Sequence, residues 1–189
     1  TPGGVLGVKD VTVPIIYNKT WAFRNGKAVT DADAAVTGTQ NLSVTVDPAN
    51  QTNTLFRGIS FAGGNDIQIF ASATANDDGS TGGNKAIDVL NGLDISDVAA
   101  GTLATTPEVT DAAKAIVINH IPAGTQLGEA ATDVLAVDAV ALSFSYGATI
   151  LGDGANVSSE ALTIWRNAAY TLTGLAVPNT LYVNSNYGT

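Results

Sequence analysis

The hydrophobic pattern of this chain changes every few residues, and nothing restricts its fold more. Apolar and polar side chains alternate over short runs, as successive residues of a strand do. The clearest run is Asn41 to Asp47, with Leu42, Val44 and Val46 on one side and Asp47-Pro48 as its stop. Val140, Leu142, Phe144 and Tyr146 share a face within Val134 to Ile150, the longest β-rich stretch, and Ser143 and Ser145 lie opposite. Leu55 to Phe61 and Ile67 to Ala73 read as a hairpin joined by Ala62-Gly63-Gly64-Asn65-Asp66, and Lys114 to His120 as a strand before the turn Ile121-Pro122-Ala123-Gly124-Thr125. Asn25-Gly26, after Trp21 and Phe23, favours a tight hairpin, with Ala28 and Val29 starting the return strand. Thr102 to Pro107, Asn76 to Asn84 and Asp153 to Ser159 read as loops. Roughly nine to eleven short strands separated by turn signals predict an all-β chain, an antiparallel β-sandwich of jelly-roll type.

Two stretches admit two readings. In Ala86 to Ala100, Ile87, Leu90 and Val98 have helical spacing, but Gly92, Gly101 and the aspartates break it into short turns. Near the C-terminus Leu162 and Ile164 alternate with Thr163 and Trp165, which favours a strand, followed by strands at Tyr170 to Leu175 and Thr180 to Val183. Ser158 and Ser159 ahead of Glu160 supply the alternative, the cap of a short helix running to Arg166.

The first residues, Thr1 to Tyr17, read as an extended strand whose buried face switches. Val11, Val13, Ile15 and Tyr17 share one phase, Leu6 and Val8 the other, and the switch falls at Lys9-Asp10. One segment thus offers apolar stripes to two surfaces. Gly3, Gly4 and Gly7 loosen the part ahead of the switch, so residues 1–10 form a candidate arm and residues 11–189 a single sandwich domain.

Charged residues make up 13% of the 189-residue chain, about half the usual quarter. Such a surface is covered by small polar residues or by other molecules, and self-association is one way of covering it. The net charge of −9 and the scattered basic residues exclude a nucleic-acid partner, which needs clustered lysine and arginine. No apolar run is long enough to insert in a membrane. There is no cysteine, hence no disulfide framework or thiolate chemistry. There is also no methionine, so Thr1 is expected to be a processed N-terminus exposed by removal of a signal peptide, which places the chain outside the cell.

No constellation carries catalysis. The one histidine, His120, ends an apolar strand and reads as locally packed, and no G-x-S-x-G elbow is present to pair with it. The chain is therefore read as a non-enzyme without an obligatory cofactor. Calcium is the exception left open, because Asp77 and Asp78 in one loop and Asp94 and Asp97 in another present hard oxygens, although neither loop matches an EF-hand. Glycosylation sequons occur at Asn18, Asn41, Asn50 and Asn156, of which the loop positions Asn50 and Asn156 are the better acceptors.

With a processed Thr1, no cysteine, low charge, a β-rich body and an extended apolar segment from Val5 to Val13, the chain resembles the secreted β-sandwich filament subunits of bacterial biofilm fibres and archaeal surface pili and threads, the TasA-like group. Type IV pilins are excluded because Pro2, Gly3, Gly4, Gly7 and Pro14 forbid their long N-terminal helix. The resemblance implies an extracellular homopolymer in which a strand of one subunit completes the sheet of the next, with Val5, Leu6, Val8, Val11 and Val13 as donor residues. One competing expectation is a calcium-assisted carbohydrate-binding or adhesive module using Trp21, Trp165, Tyr182 and Tyr187. Another is a viral capsid or tail subunit.

Overall fold

The computed structural model describes residues 6–18, 23, 35–38, 41–71, 87–91, 98, 100–107, 116–128, 130–142, 144 and 157–178. They include strands β1 (Ile15–Tyr17), β2 (Ala35–Gly38), β3 (Ser43–Val46), β4 (Asp66–Gln68), β5 (Asp88–Asn91), β6 (Thr102–Thr105), β7 (Ile118–Ile121) and β8 (Ala139–Leu142), and helix α1 (Ser159–Leu172); Val98 and Ala100 are helical as well. Six strands make one mixed sheet in the order β1-β8-β7-β6-β3-β4, while β2 and β5 form a separate antiparallel pair. Every pairing in the large sheet is antiparallel except β1 on β8, which is parallel.

Most of the regular elements among the described residues are strands, as the alternating pattern leads one to expect, but they do not show a sandwich, and the helix departs from an all-β chain. The six-stranded mixed sheet is covered on one face by the helix, and β2 and β5 pair apart from it. Alternation sorts the strand side chains onto two buried faces. Val44, Val46, Ile67, Ala104, Ile118, Val140 and Leu142 enter one cluster, which Leu55, Phe56 and Phe144 extend. Ala139, Ala141 and Ile121 enter a second, with Tyr17, Phe23, Val98, Ile116, Leu127 and Leu135. All of β8 is buried, which is how a strand flanked on both faces reads.

Helix α1 replaces the strands expected at Leu162 to Trp165 and Tyr170 to Leu175. Ser158 caps it, its Oγ accepting from the Ala161 N–H at 3.0 Å and donating to the Gln68 carbonyl at 2.6 Å, so one hydroxyl both starts the helix and ties it to β4. Ala161, Ile164 and Ala168 then face the first cluster at helical spacing. Burying Ile164 alone is worth about 2 kcal/mol.

The hairpin expected from Leu55 to Ala73 is also corrected. Thr54–Phe56 is a 3-10 turn because the Asn53 side chain accepts from the Leu55 N–H, and β4 pairs with β3 instead of with residues 55–61. Thr102–Thr105, expected as loop, is β6, with a register irregularity between Thr102 and Ala104. The run Leu6–Val8, expected as extended, is a 3-10 turn. The turn at Pro122 to Thr125 forms as its sequence predicts, with Gly124 at φ 84°. Asn25-Gly26, Asn76 to Asn84 and Thr180 to Val183 lie outside the described residues.

Candidate assembly site at the sheet edge

The apolar N-terminal segment is laid along the margin of the sheet. Of its expected donor residues, Val5 lies outside the described residues and Leu6 opens the 3-10 turn, which the Val11 N–H closes on the Val8 carbonyl at 3.2 Å. Val8 packs against the second cluster. The Lys9 carbonyl then accepts from the Ala136 N–H at 2.9 Å, and the Lys9 ammonium pairs with its neighbour Asp10 at 2.8 Å. This bond attaches the segment to the body at Lys9-Asp10, but the residues on either side are not the extended strand expected there. Beyond it Asp10, Thr12, Val13 and Pro14 are exposed and Val11 is half-buried. Val13, in phase with Tyr17, is nonetheless 63% exposed.

The segment rejoins the fold as β1, in parallel register with β8: Ile15 opposite Ala139, Ile16 opposite Val140, Tyr17 opposite Ala141. Its hold is three residues long, with Tyr17 as the anchor. The Tyr17 ring meets Phe23 edge-on, centroids 5.3 Å apart at 74°, a favourable arrangement of aromatic quadrupoles. Its hydroxyl is buried without a hydrogen-bond partner.

Burial pushes the Tyr17 phenol from 10.0 up to about 12. Between those values the fold retains a proton that the unfolded chain has lost, so stability falls as pH rises. The contribution is fully present below 10 and lost by about 12, on the order of 2 kcal/mol. Tyr17→Phe is expected to lack this decline and, having no orphaned hydroxyl, to match the wild type at neutral pH. Denaturant midpoints for both chains on either side of this window check it; parallel declines would show that the phenol does not titrate from the buried state.

The remaining candidate residues do not converge on a second site. Asp77, Asp78, Asp94, Asp97 and Asn156 lie outside the described residues, as do Trp21, Tyr182 and Tyr187. Among the described residues no three or more histidine, cysteine or acidic side chains gather as a metal-holding group, and no helix is long and apolar enough to cross a membrane. Trp165 stands exposed on α1. Asn50 ends the turn Pro48–Asn50, which Asp47 caps, and its Nδ2 donates to the Leu103 carbonyl at 3.4 Å. The amide that would carry a glycan thus points at β6, beside a cleft of about 90 Å³ walled by Thr45, Asp47 and Thr102 to Thr105. The Nε2 of His120 lies 3.6 Å from Asp138 Oδ2, and Asp138 Oδ1 accepts from the Ala123 N–H, so this pair sits beside the turn after β7.

Sequence reasoning placed a strand over Ile15 to Tyr17 but did not find its parallel partner β8. The pairing joins positions more than a hundred residues apart, and no local pattern encodes a partner at that distance. No family model, curated protein or solved structure matches the chain.

Proposed function

We propose that this protein is a structural subunit of an extracellular filament, a homopolymer in which the N-terminal strand of one copy completes the sheet of the next. The observation that carries the reading is the position of β1. It is a terminal strand at a sheet edge, held through three register pairs and preceded by an exposed run. An edge strand leaves its partner's N–H and C=O groups unpaired when it departs, and an identical strand from a neighbour restores the same bonds and side-chain seats. Exchange therefore conserves the β1–β8 contacts and alters only the path of the chain that follows Tyr17. If the donor passes onward in one direction the contact is heterologous, and an open chain of subunits results.

On this reading Ile15 to Tyr17 fill the acceptor edge, and Val5, Leu6, Val8, Val11 and Val13 travel with them across the junction. The low charge of the chain suits a surface covered by copies of itself. The chain is its own partner, and neither a cofactor nor a nucleic acid enters the mechanism.

Because the chain contains no cysteine, an engineered pair reports the exchange without background. Ile15 and Ala139 are register partners, and Ile15→Cys with Ala139→Cys places thiols on adjacent strands. Oxidised after assembly, the variant is expected to give a ladder of covalent multimers on a non-reducing gel. A single monomeric band from assembled material would rule out exchange of β1.

A further inference from the structure

Helix α1 turns a second, unused strip away from the sheet. Ala161, Ile164 and Ala168 are committed to the core, whereas Leu162 and Trp165 are 54% and 41% exposed. Residues three and four apart are neighbours on a helix, which brings Arg166 and Ala169 onto the same strip. Arg166 is half-buried and bonds to Asn167 Oδ1 through Nη2 at 3.0 Å. Tryptophan and arginine are both enriched among the residues that carry most of the binding energy at protein interfaces.

The opposite face of the sheet carries the complementary chemistry. On β3, Val44 and Val46 point to the helix side, so Thr45 points away from it, as does its register partner Asp66 on β4. The Thr45 hydroxyl donates to Asp66 Oδ1 at 2.6 Å. Asp66, Gln68 and Asp47 are exposed there, next to the cleft under Asp47 and Asn50, and no lysine or arginine lines that cleft. One side of the molecule thus offers apolar surface with a cation, and the other offers carboxylates and hydroxyls.

We propose that these two surfaces are the halves of one contact between copies of this chain, the Leu162–Trp165–Arg166 strip of one seated on the Asp47–Asp66 face of the next. Charge decides the occupant. With 17 acidic residues against 8 basic ones, another copy supplies the carboxylates that Arg166 lacks. Because the surfaces lie on opposite faces of one sheet, the contact is heterologous and repeats in one direction. It does not involve the β1 edge and does not depend on strand exchange.

Sedimentation velocity on the full chain across a concentration series tests the proposal. Arg166→Glu and Asp66→Arg are each expected to weaken association about tenfold, and the chain carrying both, which rebuilds the pair with opposite signs, to recover it. Leu162→Asp, at a position 54% exposed, weakens association as well and guards against a folding defect in the Arg166 variant. Association unchanged by either single reversal, or no recovery in the double variant, overturns the proposal. So does a Trp165 emission shift when neutral lipid vesicles are added to monomeric chain, which would assign the strip to a membrane. A cystine ladder with no effect of charge reversal would leave strand exchange standing and remove this contact; charge rescue without a ladder would do the reverse.

Discussion

Replacing Asn167 with leucine is expected to lower the stability of the fold by about 3 kcal/mol, although leucine has the same branched outline and number of heavy atoms. Asn167 is fully buried in α1, and its Nδ2 donates to two backbone carbonyls, Leu55 at 3.0 Å and Arg57 at 2.9 Å. Its Oδ1 accepts from Arg166. One amide thus clasps the turn Thr54–Phe56 to the helix, and that turn delivers Leu55 and Phe56 into the first cluster. Leucine would fill the space but leave both carbonyls without donors, and an orphaned buried carbonyl costs about 1–3 kcal/mol. Aspartate would be worse, setting a carboxylate against carbonyl oxygens. Denaturant titration with an unchanged m-value measures the loss. A loss below about 1 kcal/mol would mean that water reaches the carbonyls and that the clasp is dispensable.

The clasp was not legible in the sequence, and the reason applies to the whole helix. Over Leu162 to Trp165 the residues alternate, and in so short a window a strand and a helix face look alike. The longer period through Ala161, Ile164, Ala168 and Leu172 is the helical signal, and it is weakened because two of its positions are alanine. Ser158 was legible as a cap, since a hydroxyl before Glu160 is local chemistry. Strand β6 escaped for a related reason. Thr102 to Thr105 has little apolar character of its own, and its burial is conferred by β3 and β7 on either side.

What could be read was whatever lay within a few residues. Val44 and Val46 point inward as their alternation predicts, β7 and the turn after it fall where expected, and Val140, Leu142 and Phe144 share one cluster. The opposite side of β8 is equally buried, but Ala139 and Ala141 give too small a signal to announce a second core. At the candidate site the change of phase read at Lys9-Asp10 is not realised as a strand switching faces, since Leu6–Val8 is a 3-10 turn and Val13 is exposed. The contact that does occur there, the Ala136 N–H on the Lys9 carbonyl, is long-range and was not legible. Arg166 and Asp66 carry no motif, and only the fold puts them on opposite faces of one sheet.

Gly101→Ala is the second substitution expected to be severe, at about 2–3 kcal/mol. A Cβ at this position would run into the His120 carbonyl and the Asn119 side-chain oxygen. Neither can yield cheaply. Asn119 is fully buried, its Nδ2 donating to the Val98 carbonyl at 2.7 Å and to Thr102 Oγ1 at 3.3 Å. The strand carrying the His120 carbonyl is itself held against this segment, because the His120 N–H donates to the Gly101 carbonyl at 3.2 Å. The added methyl must therefore push β7 from the chain leading into β6, next to the irregularity between Thr102 and Ala104. Gly63→Ala is the matched control, since nothing lies within 4 Å of the Cβ it would add, and removing a glycine there is expected to be neutral or to stabilise by a few tenths of a kcal/mol, roughly, through the unfolded chain. Thermal melts of the two variants, with hydrogen exchange at the His120 amide, separate the outcomes. Equal stability in both, with His120 still protected, would show that the sheet absorbs the methyl and that close approach at Gly101 does not hold β6 and β7 in register.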